Sequence, residues 1–555
     1  METERITIMH KTSRFVLAIA TIVMGVVLLS GCNKGGEEDM TTTPVEATTP
    51  VETTTPVEST TQTPEPEVPL RTINIKIDAS TRSPFNGGKF EGWGTSLCWW
   101  ANRLGYSDSL AQQAATLFYD AEKGLGMNIA RYNIGGGDDP THDHITRTDS
   151  EVPGFLYYNE ESGKFEYDIN ADANQRNVLL KAMKAAGDDF IAEAFANSPP
   201  YFMTVSGCTS GSKDASSNNL KEDCFDDFAE YLAEVALIYK NEYGVDFQSI
   251  SAMNEPTTNY WKANSNKQEG CHFDAGETQS TMFLELSKSL AKRDLQDILV
   301  VASDETSIDS QIQAFNKLSD EAKAVVARID THTYGGSKRK QLREVAVANN
   351  KNLWMSEVDS GNTLGGTAAG EMGAALFFAR SIIDDMNGLL PSAWIMWQAI
   401  DNHVCAEGYN GNKDSGMPNL AGGFWGLAVA DHDKDTIVLS KKYYAYGQFS
   451  RYIRPGYTIL STLSESAMAA YSEENKQLVI VAINKDSDAK IANIPLDGFV
   501  WKDGTKASVI RTSGDMATGE NWAELLAVEV GAEGLSVVLK EFSITTYVID
   551  GIEYK

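Results

Sequence analysis

The chain is 555 residues long, with 47 Lys and Arg against 77 Asp and Glu, a formal net charge of −30. So acidic a protein argues against nucleic acid or an anionic membrane surface as partner and is compatible with a neutral polymer. The length excludes one small core and leaves room for a barrel-sized domain plus a second one.

His10, Lys11 and Arg14 precede an apolar run from Phe15 to Leu29, which stops at Ser30-Gly31-Cys32. The run is short for a bilayer span. Leu29-Ser30-Gly31-Cys32 has the form of a bacterial lipobox, in which the cysteine thiol is acylated and becomes the new N-terminus. Residues 1–32 are therefore read as a lipoprotein signal, with Met9 an alternative start. The expected location is the bacterial cell surface, with Cys32 lipidated and the membrane touched only through the anchor. Residues 33–70 follow as a linker in which Thr-Pro-Val-Glu recurs at Thr43, Thr49 and Thr55. Such a tract has too little apolar surface to fold, and its prolines keep it extended.

Thr72–Ile77 reads as a strand without a helical partner, so residues 71–90 are expected to join a later sheet. From Glu91 to about Asp401, strand patterns alternate with helical ones. The strand cores are Gly92–Leu97, Met127–Ile134, Asp189–Ala196, Phe247–Met253, Ile298–Ser303, Ala327–Thr333, Asn352–Ser356 and Pro391–Gln398. Between them, Val178 to Ala186 reads as a helix ended by Gly187. Phe225 to Tyr243 reads as one ended by Gly244, and Gly366 to Met386 as a longer one closed by Gly388. Eight βα units predict an α/β fold, a (β/α)8 TIM barrel over 91–440. After about Lys441 the pattern turns to strands: Ala467–Tyr471, Gln477–Asn484, Ala507–Arg511, Leu535–Leu539 and Ser543–Ile549. With the N-terminal strand, 441–555 is expected to form an associated β-sandwich.

Five cysteines remain after Cys32, an odd number that leaves at least one thiol unpaired; Cys208 and Cys224 are the best candidates for a bridge among Cys98, Cys208, Cys224, Cys271 and Cys405. No Cys/His spacing suggests a metal site, and no cofactor is expected. Gly135-Gly136-Gly137 is no phosphate loop, because no helix-opening Gly-Lys-Ser/Thr follows. It is expected to let the backbone pass close to a sugar.

Two carboxylates carry the chemistry. Glu255 closes the fourth strand pattern and Glu357 the seventh, across the barrel mouth from each other. Glycoside hydrolysis needs such a pair, one proton donor and one nucleophile or base, about 5–5.5 Å apart where configuration is retained. Trp99, Trp100, Tyr201, Trp261, Trp397 and Trp425 are candidate platforms for the apolar face of a sugar ring. Trp397, at the end of the eighth strand, is the expected floor for the reacting sugar.

Phe90-Glu91-Gly92-Trp93-Gly94-Thr95-Ser96-Leu97-Cys98-Trp99-Trp100-Ala101 resembles the opening strand of glycoside hydrolase family 30, within it the endo-β-1,6-galactanase branch. The segments Arg131 to Gly137, Asn197 to Met203, Asn254-Glu255-Pro256, Trp354-Met355-Ser356-Glu357 and Lys442 to Ser450 match in order. The resemblance runs from about Ile73 to the C-terminus. It implies Glu255 as acid/base and Glu357 as nucleophile of a retaining hydrolase acting through a covalent glycosyl-enzyme. The field of an anionic Glu357 is expected to raise the proton affinity of Glu255. Asn254 would hydrogen-bond the sugar 2-hydroxyl, and Arg131 would orient Glu357 and hold it ionised. Tyr334 resembles the sixth-strand residue that contacts the nucleophile; His332 beside it reads equally as a core histidine. The implied substrate is β-1,6-galactan, as on arabinogalactan side chains, acted on by a monomer. The alternatives are β-1,6-glucan or xylan, and a surface lipoprotein that binds glycan without cleaving it.

Overall fold

A computed structural model describes residues 69–147, 149–406, 414 and 416–555. Cys32, its lipobox and the Thr/Pro-rich tract up to Val68 lie outside the described residues. Among those described, no helix is long and apolar enough to cross a membrane.

Eight parallel strands close into a barrel: Gly92–Ser96, Ile129–Asn133, Ile191–Phe195, Phe247–Ser251, Leu299–Ser307, Val326–Gly335, Asn352–Glu357 and Ala393–Gln398. Each is hydrogen-bonded to the next and the last to the first, so all eight expected strands are present in sequence order. Most of their positions are buried because both faces are covered, and polar residues such as Arg131, Glu193 and Asp330 stand among the apolar ones. Ile129, Trp354, Ala393 and Ile395 cluster together inside the barrel. Their neighbours Ala130, Leu353, Met355 and Trp394 face the surrounding helices.

The helices form where apolar residues recur at helical spacing and stop at glycine. Ala173–Ala186 ends at Gly187, and Phe225–Ile238 continues as a wider turn to Tyr243 before Gly244. Gly244 sits at φ +67°, a backbone state that glycine takes without steric cost. The helix expected from Gly366 instead runs Met372–Gly388. Gly366 and Gly370 both have positive φ, which breaks the chain into a short turn before the helix proper.

The second assembly is a sandwich of two sheets. One has seven strands, in the order Ile77–Arg82, Thr458–Thr462, Ala467–Ser472, Gln477–Asn484, Ser543–Asp550, Lys506–Ser513 and Glu520–Glu529. The other has three, in the order Arg71–Asn74, Lys490–Pro495 and Gly534–Leu539. The single N-terminal strand expected over Thr72–Ile77 is thus two short strands, one in each sheet. Gln477–Asn484 shows why its sequence lacks polar alternation. Leu478, Ile480 and Ala482 point into the sandwich core, whereas Val479, Val481 and Ile483 belong to the core continuous with the barrel.

The helix Lys441–Ser450 joins the two assemblies. The Tyr446 hydroxyl donates to the Gly94 carbonyl of the first barrel strand at 3.1 Å, and the Thr546 hydroxyl donates to the Gln448 carbonyl at 2.8 Å. A further three-stranded sheet, Ile400–Val404, Ala428–Asp431 and Thr436–Leu439, follows the eighth barrel strand and was not expected from the sequence.

The expected Cys208–Cys224 bridge is absent: Cys98, Cys208, Cys224 and Cys271 are free thiols. Cys208 is buried, whereas Cys224 is half-buried and precedes the helix Phe225–Ile238.

Candidate active site

A cleft of about 720 Å³ opens at the C-terminal ends of the barrel strands and is lined by both Glu255 and Glu357. Glu357 is the last residue of its strand, as expected. Glu255 is not a strand residue, because the fourth strand ends at Ser251. Its backbone has φ +47°, a left-handed state that a non-glycine residue holds only under constraint. The constraint is visible. The Glu255 amide donates to the Asp304 carbonyl at 2.7 Å, while the Thr258 hydroxyl and the Trp261 indole N–H donate to the Glu255 carbonyl at 2.8 and 3.1 Å.

One carboxylate oxygen of Glu255, one of Glu357 and a ring nitrogen of His332 all lie within 4.8 Å of one another. An approach of the nearest oxygens this close is compatible with a retaining pair, whose carboxyl groups sit about 5–5.5 Å apart. Arg131 Nη1 donates to Glu357 Oε2 at 2.7 Å, and the Tyr334 hydroxyl donates to Glu357 Oε1 at 3.1 Å. Arg131 Nη2 also reaches Asp304 at 3.0 Å and the Asn254 side-chain oxygen at 3.2 Å. With that oxygen engaged, the Asn254 amide nitrogen is the donor left for a ligand at the cleft wall. Arg131 is fully buried beneath the cleft, so it acts on substrate only through these neighbours.

Burial alone pushes both glutamates up, and their neighbours then separate them. For Glu255 the hydrogen bond and charge of His332, with the Tyr260 and Thr306 hydroxyls, outweigh burial and hold its pKa below the ordinary value. For Glu357, burial together with the charges of Glu255 and Asp304 outweighs His332 and Arg131, and its pKa is raised. These directions differ from the expected ordering, in which the field of Glu357 raises the proton affinity of Glu255. The physical reason is His332, whose Nδ1 lies 3.1 Å from Glu255 Oε1 and 3.5 Å from Glu357 Oε1. Burial opposes charge on this ring, but Glu357, Asp304 and Glu255 push its pKa up to about 10. His332 is thus no ordinary core histidine. The imidazole competes with Glu255 for the cluster's proton across one hydrogen bond. The titration belongs to the group rather than to one member.

Three site residues were not singled out from the sequence. Asp304 sits within the fifth strand, which runs on to Ser307 past its expected end at Ser303; it accepts from Arg131 and from the Ser356 hydroxyl. Arg131 and His332 outweigh burial and hold it well below the usual carboxylate range. Glu193 faces Arg131 Nε at 3.4 Å. Tyr260 donates to Glu255 Oε2 from the loop after Pro256. Only the acidic pair Asp304-Glu305 at an apolar strand end was a readable signal.

Of the aromatic candidates, Trp99, Trp261, Trp397 and Trp425 line the cleft. Trp397 packs edge-on against Trp99 with ring centres 5.1 Å apart, and Trp425 leans on Tyr334. Two others are elsewhere. Trp100 is buried, its indole donating to the Ser96 carbonyl at 2.8 Å and its ring packed on Phe118. Tyr201 lines a neighbouring groove of about 1030 Å³ with Phe202, not the carboxylate cleft. The Gly135-Gly136-Gly137 expectation also changes. A Cβ on Gly135 or Gly136 would meet the backbone of Val152 at 2.5 Å or Pro199 at 2.7 Å. The amides of Gly136 and Gly137 donate to buried Glu269. The glycines serve packing between loops. Glu255, His332 and Glu357 could together reach an ion, but Arg131 and the imidazole already supply the positive charge there.

The family model for O-glycosyl hydrolase family 30 matches residues 73–409. An endo-β-1,6-galactanase of Hypocrea rufa is 31% identical over 488 residues, covering 84% of this chain and 93% of that protein. An exo-β-1,6-galactobiohydrolase of Bifidobacterium longum subsp. longum is 25% identical over 461 residues, covering 66% of this chain and 30% of that protein. Among solved structures, the catalytic domain of xylanase C from Talaromyces cellulolyticus superposes with a TM-score of 0.63 at 20% identity, covering 86% of this chain and all of that one. A conserved exported protein from Bacteroides fragilis gives a TM-score of 0.66 at 21% identity over 86% of this chain. The barrel, its adjoining sandwich and the buried carboxylate pair agree with these matches: the chain belongs to O-glycosyl hydrolase family 30 and is a glycoside hydrolase.

Proposed function

We propose that the protein hydrolyses β-1,6-galactan with retention of configuration, Glu357 acting as nucleophile and Glu255 as acid/base. The approach of the two carboxylates within 4.8 Å carries the reading. The endo-β-1,6-galactanase relative, matched along most of both chains, supports the substrate. Glu357 attacks the anomeric carbon as Glu255 protonates the departing glycosidic oxygen, giving a glycosyl ester and a free chain end. Water then attacks the same carbon, Glu255 takes its proton, and Glu357 leaves as carboxylate.

His332 completes this scheme as a positioning residue. The proton that Glu255 delivers is drawn from the imidazolium across their hydrogen bond as charge builds on the leaving oxygen. Esterification of Glu357 removes one of the negative charges facing Glu255. The carboxylate left on Glu255 after protonation of the leaving oxygen therefore stays ionised and serves as base for water. Asn254 donates to the 2-hydroxyl, a contact that strengthens in the oxocarbenium-like transition state. Trp397 at the cleft wall offers a ring face to the sugar, with Trp99 packed behind it.

Debranched arabinogalactan, pustulan and glucuronoxylan offered to purified enzyme test the substrate. Release of galactose oligomers from the first supports the proposal, and activity confined to either of the others refutes it. Proton NMR of the first-formed product tests the stereochemistry: β-anomer is expected, and initial α-anomer refutes retention. For Cys32 the proposal is lipid anchoring at the cell surface, checked by incorporation of labelled fatty acid that Cys32→Ser abolishes.

A further inference from the structure

Outside the cleft, Asp138, His142 and His144 each bring one possible ligand atom within 4.8 Å of the other two. They belong to the loop that follows the second barrel strand, immediately after the glycine triplet. Asp138 Oδ2 lies 3.1 Å from His142 Nδ1 and 3.5 Å from His144 Nε2. An ion held tetrahedrally at about 2.0–2.1 Å from each ligand needs ligand atoms about 3.3 Å apart. The two measured separations bracket that value. We infer that Asp138, His142 and His144 form a binding site for one divalent ion of the zinc class, its remaining position taken by water.

The donor set selects the ion. Two imidazoles and one carboxylate suit zinc, whereas calcium takes six to eight oxygens and magnesium a near-octahedral oxygen shell. The Asp138 side chain is about 1% exposed, and His144 is 14% exposed, so the pocket is partly withdrawn from water. Asp138 is held from behind: its Oδ1 accepts the Thr209 amide at 3.0 Å, which turns Oδ2 toward the histidines. An outer partner of this kind fixes a ligand's orientation. The Ser210 hydroxyl lies 3.1 Å from the same His144 Nε2, and the ion takes that nitrogen in its place. Among the described residues no lysine or arginine pairs with Asp138. His142 and His144 stand two residues apart, a spacing that suits one ion, but it was not singled out from the sequence.

The position gives the ion a task. The same loop delivers Arg147, whose guanidinium pairs with Asp401 at 2.8 Å and lies over the Trp99 ring at 4.4 Å, at the edge of the substrate cleft. An ion tying Asp138 to His142 and His144 closes the base of that loop and holds Arg147 against Trp99. It is separate from the carboxylate pair.

Tag-free protein, stripped with chelator and dialysed, is titrated with zinc chloride alone. Bound metal is measured by elemental analysis, affinity by calorimetry and melting temperature by scanning fluorimetry. The expected result is one ion per chain and a melting temperature that rises with free zinc. A His142→Ala/His144→Ala double variant, shown folded by circular dichroism, is expected to bind at least about tenfold more weakly and to lose the thermal shift. Absence of stoichiometric uptake by the unmodified chain overturns the inference, as does unchanged uptake by the double variant. Uptake that survives in the double variant but disappears in Glu357→Gln places the ion in the cleft and also overturns it. No substrate enters these measurements, so their outcome is separate from that of the galactan assay.

Discussion

Arg131→Met removes a buried cation from among several carboxylates, and the structure sets the size of the effect. The guanidinium contacts Glu357 at 2.7 Å, Asp304 at 3.0 Å and Glu193 at 3.4 Å with no solvent exposure. A unit charge pair with centres near 4 Å is worth about 4 kcal/mol at an effective dielectric of about 20, or about three pKa units. His332 remains beside Glu357 and compensates in part, so a further rise in the Glu357 pKa is expected. Glu357 is already raised in the intact site, and the nucleophile must be ionised. The acid limb of kcat/KM against pH therefore moves to higher pH. Folding stability falls by about 3–5 kcal/mol, the usual result of stripping one partner from a buried ionic cluster. Arg131→Lys keeps the charge and is expected to keep the acid limb while losing the forked contact to Asn254 and Asp304. The assay is reducing-end release from debranched arabinogalactan across a pH series, with urea unfolding in parallel. An unmoved acid limb in a folded Arg131→Met protein would refute the claim that this residue keeps Glu357 ionised.

Glu255→Gln and Glu357→Gln are each expected to lower turnover by on the order of 10²–10⁴ or more with melting temperature little changed; normal turnover in either removes that residue from the mechanism. Tyr260→Phe deletes a hydroxyl that lowers the Glu255 pKa, so proton affinity at Glu255 rises and the basic limb of the kcat/KM profile should move to higher pH. A shift to lower pH would contradict that electrostatic assignment. In the sandwich, Arg511 grips Glu520 through two hydrogen bonds of 2.6 and 2.7 Å and holds its pKa down at about 2. A depressed carboxylate stabilises the fold above its unfolded pKa and loses that contribution as pH falls. The stability gap between wild type and Arg511→Ala, about 1 kcal/mol after solvent screening, should be present at pH 7 and close toward pH 2 in urea titrations.

The barrel was legible because strands covered on both sides leave apolar runs, and helices between them leave a helical repeat and a terminal glycine. The sandwich was only partly so. Glu520–Glu529 is an edge strand, mostly half-buried or exposed, and its Glu and Asn residues hide it. Lys490–Pro495 ends in a proline and pairs with the separated strands Arg71–Asn74 and Gly534–Leu539. Such pairing leaves little local trace. At the site, Glu255, Glu357, Arg131, Asn254 and Tyr334 come together, although Glu255 lies beyond its strand rather than at the strand end. The role of His332 did not, because it depends on three carboxylates from separate segments converging on one ring. Tyr201 and Trp100 show the same limit from the other side. An aromatic residue near a motif can face a different groove or the core, and only packing decides which.

The helix that joins the two assemblies reaches further than its own length. Lys442 extends its ammonium 2.7 Å from Asp359, two residues beyond Glu357, and also donates to the Phe424 carbonyl at 2.9 Å. Asp359 is fully buried, and its other oxygen accepts the Gly426 amide. An enzyme trimmed at residue 440 would therefore strand an unneutralised acid directly behind the nucleophile. Chimeras that exchange the sandwich between relatives must carry this lysine across the junction, and screening for shortened catalysts should begin past it.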